Sequence, residues 1–233
     1  MIRRTVPQKT ISKETKLSGV GLHTGEHVNI TFKPAPADTG LVFVREDIEG
    51  DNMINAHIKY ISNTDRGTNL DNGVFRIHTS EHVLAAITGL EIDNCVICLD
   101  GPEVPIMDGS SKFFINALEE AKIVEQNVLR EEFFPSEPIS YVCEDSGSKI
   151  SIIPDDNYKV NTIVDYKTKV LGEQEASINH ISEFKEEISS ARTFSFLHEL
   201  ETLLENGLIK GGDLNNAIAV SYTHLTLPTK KRG

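Results

Sequence analysis

His78-Thr79-Ser80-Glu81-His82 puts two imidazoles and a carboxylate in one short stretch. An imidazole nitrogen can hold zinc, and an unligated glutamate beside it can take a proton from metal-bound water, which is what metal-assisted hydrolysis needs. The same residues fit the H-x-x-E-H spacing of inverzincin peptidases, where both histidines project from one helix face. Thr79 or Ser80 reads as the cap of the helix that follows, so His78 is expected to precede it, which counts against the peptidase arrangement. A plainer reading stays open: Glu81 complements the helix dipole and His82 packs at the helix start.

His23 lies in Ser18-Gly-Val-Gly-Leu-His-Thr-Gly. Glycines on both sides permit close backbone approach to a ligand, although a simple turn histidine fits as well. A phosphate loop is excluded, because no helix opens there and no Gly-Lys-Ser/Thr follows. Asp108-Gly109-Ser110 reads most simply as a turn plus a cap. Ser190-Ala-Arg-Thr193-Phe194-Ser-Phe196 sets a hydroxyl beside aromatics, suited to carbonyl and acyl-chain contacts or to core packing. Cys95 and Cys98 lie three apart in an apolar β-like run and face opposite sides of it, so they read as small buried hydrophobes rather than a metal clip.

The elements that must position these groups read as α+β. Leu17 to Leu22, Val28 to Phe32 and Leu41 to Val44 look like a β-meander, and Asp71-Asn72-Gly73 is a hairpin signal. A helix capped at Thr79 or Ser80 is expected to stop at Gly89, a buried strand to run from Cys95 to Leu99, and a second helix to follow Ser110 or Ser111. Strands near 139–142, 149–153 and 160–164, then a helix at about 182–189, repeat the strand-then-helix order. Two domains are therefore expected, 1–127 and 128–220, joined by the polar stretch at 125–131. Residues 221–233 break the pattern at Pro228 and three basic residues; they resemble translated sequencing-adapter read-through, or else form a disordered basic tail.

The chain has 23 basic and 35 acidic residues, a net charge of -12. No basic stripe interrupts the acidic surface before the last residues, which argues against nucleic-acid binding. No apolar run reaches the roughly 18 residues needed to span a bilayer, and no export signal opens the chain, so a cytoplasmic protein is expected. Three cysteines without such a signal make a disulfide framework improbable.

Taken together, Ser18-Gly-Val-Gly-Leu-His-Thr-Gly, Lys33-Pro-Ala-Pro-Ala-Asp-Thr-Gly, Thr79-Ser-Glu-His-Val-Leu-Ala-Ala, Ile92-Asp-Asn, Gly101-Pro-Glu-Val-Pro-Ile-Met-Asp-Gly-Ser and Ser190-Ala-Arg-Thr-Phe resemble the UDP-3-O-acyl-N-acetylglucosamine deacetylases over roughly residues 1–220. The resemblance implies two similarly built α+β domains with their helices sandwiched between the sheets. It implies zinc-dependent removal of acetate from an acylated UDP-N-acetylglucosamine, the committed step of lipid A synthesis in Gram-negative bacteria. By the same resemblance His82 is a zinc ligand, Glu81 the general base, and Thr193 a donor to the attacked carbonyl. Phe194 borders the acyl chain and His23 the edge of the site. Some members are fused to a hydroxyacyl-carrier-protein dehydratase domain.

The sequence departs from the family in one respect. The two further zinc ligands, expected from a His-Lys-x-x-x-Asp segment, and a later general-acid histidine are missing, and Pro228 stands four residues after His224. The chain therefore reads as truncated, with an incomplete second domain and no activity of its own. Two alternatives accompany this expectation: an inverzincin-like peptidase, and a non-catalytic fragment that keeps a nucleotide-sugar cleft.

Overall fold

The computed structural model describes residues 2–64, 66–168 and 171–220. The expected tail and His224 lie outside the described residues. The α+β class holds: among the described residues four α-helices accompany a larger set of strands.

A five-stranded sheet dominates the first part, in the order Thr15–Val20, His27–Pro34, Cys95–Leu99, Leu41–Arg45, Met53–Asn55. It is not the expected meander. Cys95–Leu99 inserts between two strands far earlier in the chain, antiparallel to His27–Pro34 and parallel to Leu41–Arg45. The physical reason is its composition: Cys-Val-Ile-Cys-Leu is apolar at every position and four of its five residues are buried. A strand apolar on both faces belongs at the centre of a sheet, whereas half-polar strands such as Thr15–Val20 tolerate an edge.

Two helices cover one face. Helix α1 (Glu81–Gly89) buries Val83, Ala86 and Ile87, and helix α2 (Lys112–Glu120) buries Phe114, Ile115, Ala117 and Leu118. These are the three- and four-residue spacings of one helical stripe. They close over Phe32, Phe43, Ile30 and Ile97 in a single core, with Phe114 edge-on to Phe32 at 6.4 Å.

Neither Ser80 before α1 nor Ser111 before α2 makes a side-chain capping bond. Ser80 Oγ donates instead to Thr68 O at 2.8 Å. Ser111 Oγ donates to His82 O at 2.9 Å, while Ser110 Oγ makes the expected capping bond, accepting from Lys112 N at 3.2 Å. Both serines thus tie helix starts to neighbouring segments. Helix α1 ends at Gly89 as expected, but the left-handed reversal falls two residues later, on Glu91, whose φ is 55°. Gly89 is required for packing, since a Cβ there would collide with the Phe184 ring.

Residues 123–129, where a joint between halves was expected, form a strand (Ile123–Leu129) antiparallel to Pro7–Ile11. Arg130 follows, held by Asp93 and Glu91. Beyond it come two antiparallel pairs, Ile139–Val142 with Lys149–Ile152 and Val160–Asp165 with Glu173–Ile178. Helix α3 (Phe184–Glu187) is shorter than expected because Ile181–Glu183 is a 3₁₀ turn. Helix α4 (Leu197–Glu205) follows, and Phe194–Phe196 pairs in parallel with Ile218–Val220. Among the described residues the second part does not display a copy of the five-stranded sheet, so a repeated architecture is not visible. No helix among the described residues is long and apolar enough to cross a membrane.

Candidate active site

The site forms where α1 begins. Arg76–Ile77 runs extended, Thr79 takes a left-handed backbone (φ 58°), and Glu81 opens the helix. His78 therefore precedes α1 and does not share a helix face with His82, as the peptidase arrangement would require. His78 Nδ1 instead lies 3.1 Å from Asn69 Oδ1, and burial pushes its imidazole below the ordinary value.

Glu81 is held at one oxygen and open at the other. Its Oε2 accepts from Thr68 N at 2.8 Å, and its Oε1 lies 3.9 Å from His82 Nε2. The His82 side chain is mostly buried, and desolvation lowers its pKa, against the opposing pull of the Glu81 and Asp108 carboxylates. A neutral imidazole is the form that can bind a metal. Asp108 accepts from both the amide and the hydroxyl of Ser110, the turn and cap expected there.

His23 reaches the same cleft from the Gly21–Gly25 turn. Its Nε2 is 3.2 Å from Arg66 O, and a carbonyl can only accept, so Nε2 carries the proton. Its Nδ1 is buried with no hydrogen-bond partner among the described residues. His23, His78, Asn69 and Gly67 line a cavity of about 330 Å³ together with Leu208 and Lys210 from the second part. Glu81 borders it through Gly67.

Thr193 is brought to this end by backbone pairing, its N–H donating to Gly109 O at 2.7 Å and its carbonyl accepting from Ile218 N. Arg192 Nε fastens the same loop to Asp108 O at 2.6 Å. Phe194 sits in an aromatic cluster with Tyr166 and Phe196, at centroid distances of 5.4 and 5.5 Å, and does not line the cavity.

Sequence reasoning missed Thr68, Asn69, Glu103 and Lys210. Thr68 acts through its backbone, which no side-chain pattern reports. Glu103 stands in Gly101-Pro-Glu-Val-Pro, which reads as a turn, and the signal that could find it is Gly21, whose missing Cβ leaves room for its carboxylate.

A catalytic zinc ordinarily takes three protein ligands. Among the described residues no three His, Cys, Asp or Glu side chains converge as a metal site. These residues alone therefore do not fit a complete zinc centre.

A family model described as LpxC, UDP-3-O-acyl N-acetylglycosamine deacetylase, matches residues 8–231. The chain is 43% identical over 216 residues to a Chlorobaculum tepidum protein named bifunctional enzyme LpxC/FabZ, and 40% identical over 213 residues to one of the same name from Bacteroides thetaiotaomicron. These matches cover 92% and 91% of the chain but 46% of each relative, so the chain spans about half their length. A Bdellovibrio bacteriovorus protein named UDP-3-O-acyl-N-acetylglucosamine deacetylase is 37% identical over 224 residues, 95% of the chain and 73% of the relative. With its Glu-His helix start, its His23 turn and this extent of match, the chain belongs to the UDP-3-O-acyl N-acetylglycosamine deacetylase (LpxC) family.

Proposed function

We propose that this chain carries part of the machinery for zinc-dependent hydrolysis of the 2-acetamido group of an acylated UDP-N-acetylglucosamine, releasing acetate in lipid A synthesis. The observation that carries the reading is the start of α1, where Glu81 Oε2 is fixed by the Thr68 amide and Oε1 is left beside His82. Glu81 Oε1 takes the proton from attacking water. His82 would be one ligand to zinc, which when bound would supply electrophilic polarisation of the carbonyl. The Thr193 hydroxyl donates to the carbonyl oxygen as negative charge develops, a contribution on the order of 3 kcal/mol for one donor. Phe194 borders the acyl chain and His23 the cleft. The protein works in the cytoplasm of a Gram-negative bacterium. The length and two-part name of the bifunctional relatives support fusion to a dehydratase domain.

The 233 residues contain one family-matched zinc ligand, His82, and no His-Lys-x-x-x-Asp segment. Residues 1–233 on their own are therefore expected to hold no stoichiometric zinc after dialysis and to release no acetate from substrate. One tightly bound zinc per chain with turnover would overturn that. In a chain continued through the His-Lys-x-x-x-Asp segment, Glu81→Gln should lower kcat by about 10²-fold or more with zinc content unchanged. His82→Ala should reduce the zinc content. Near-normal turnover of the first variant, or full zinc in the second, would remove that residue from its role.

A further inference from the structure

Glu103 is fully buried, and the chemistry above does not use it. Its carboxylate is the meeting point of three chain segments. Oε1 accepts from His23 N at 3.0 Å and from Thr79 Oγ1 at 2.8 Å. Oε2 accepts from Thr24 N and Thr24 Oγ1, each at 2.8 Å. The backbone adds to this: His78 pairs in parallel with Glu103, with His78 N donating to Pro102 O and Val104 N to His78 O.

A buried carboxylate is costly unless its lone pairs are filled, and here amide and hydroxyl donors fill them. The neighbouring backbone is shaped around it. A Cβ at Gly21 would come within 2.5 Å of Glu103 Oε2, so the Gly-x-Gly turn makes room for the carboxylate rather than for a ligand phosphate. The second part docks on this same turn, where Gly211 N donates to Leu22 O at 3.0 Å.

Thr79 is the point of leverage. A β-branched residue at φ 58° is an outlier that persists only where its surroundings hold it, and Thr79 is buried with its hydroxyl on Glu103. That conformation turns the chain from the His78 strand bridge into Ser80, Glu81 and His82. We infer that Glu103 is the positioning residue of the site, holding Thr79 in the left-handed backbone that aims Glu81 and His82 while fixing the His23 turn opposite them. Its meaning for catalysis rests on the roles proposed for Glu81 and His82. The placement itself does not, and it is measured directly.

The test uses the 233-residue chain, labelled at histidine, with ring resonances of His82 and His23 read by NMR. Thr79→Val keeps the side-chain volume and removes the hydroxyl, and Glu103→Gln sets an N–H₂ against amide donors. Both should displace the His82 ring resonances of the folded protein, and Glu103→Gln also those of His23. Ile97→Val, a buried change in the central strand of the sheet that touches none of Glu103's hydrogen bonds, should lower stability without moving either ring. Adding Thr79→Gly to Glu103→Gln should return His82 toward its wild-type position, because glycine adopts the left-handed backbone unaided. If Thr79→Val and Glu103→Gln lower stability as Ile97→Val does yet leave the rings in place, Glu103 is a structural group only and the inference fails. A double variant whose His82 stays displaced overturns the route through Thr79. Should Glu103→Gln not fold, Thr79→Val against Ile97→Val decides alone.

Discussion

The five-stranded sheet and the paired strands at 139–178 are written in similar residues and meet opposite fates. Ile30 and Ile97 of the first are fully buried, whereas Ile150 is 67% and Ile163 58% exposed. β-branched residues in alternating runs make strands in both places. What differs is the cover. Helices α1 and α2 lie on the first sheet and convert its apolar face into a core, while among the described residues the later pairs carry Ile139, Tyr141, Ile152 and Val164 on open surfaces. Strand formation is a local property, and stability comes from the layer packed on top.

The largest effect expected from this contrast is a matched pair of truncations. Phe114→Ala removes a fully buried ring packed on Phe32 and should cost about 3–5 kcal/mol. Ile152→Ala removes a side chain already 53% exposed and should stay within about 0.5 kcal/mol. Urea midpoints of both variants at constant slope measure this. Equal costs would show that the second part is covered in solution and erase the contrast.

A smaller effect is expected where the two parts touch. Gly89 of α1 faces the Phe184 ring at the start of α3. Gly89→Ala forces that ring aside and should cost about 1–3 kcal/mol, the usual range for overpacking. Adding Phe184→Ala should recover part of the loss, a coupling that a double-mutant cycle reads. Simple additivity would mean that α3 yields freely and that the contact does not hold the parts together.

That contact also marks where sequence reading reached its limit. The apolar stripe of α1, the Asp71-Asn-Gly hairpin and the later strands were legible because periodicity and turn chemistry are local. The insertion of Cys95–Leu99 between His27–Pro34 and Leu41–Arg45 was not, since pairing partners are chosen by burial across long separations. Gly89 was legible as the end of α1 but not as a packing position, because contact with a residue 95 positions later leaves no local trace. In the site, Glu81, His82 and His23 were found from residue type and family motif. Thr68 was invisible because its backbone does the holding, and Glu103 because a buried carboxylate inside a Pro-rich motif looks like part of a turn.

The smallest effect concerns the ion pair between Arg66, beside the cavity, and Glu199 on α4. The guanidinium donates to both carboxylate oxygens, at 3.1 and 2.9 Å, and the same Arg66 offers its carbonyl to His23. The pair joins the two parts, yet the side chains are 45% and 26% exposed, so solvent screens most of the attraction. Glu199→Gln should cost about 0.2–1 kcal/mol at low salt and almost nothing at about 1 M, where the Debye length is roughly 3 Å. The Arg66 guanidinium holds the Glu199 carboxyl below its ordinary value of 4.5. The folded protein therefore binds this proton less readily than the unfolded chain. The pair's contribution is fully present above pH 4.5 and is lost as pH falls through the lower folded value. Denaturation of wild type and Glu199→Gln across that range should give curves that converge in acid. A difference that persists in high salt and at low pH would mean that Glu199 supports α4 by packing rather than by charge.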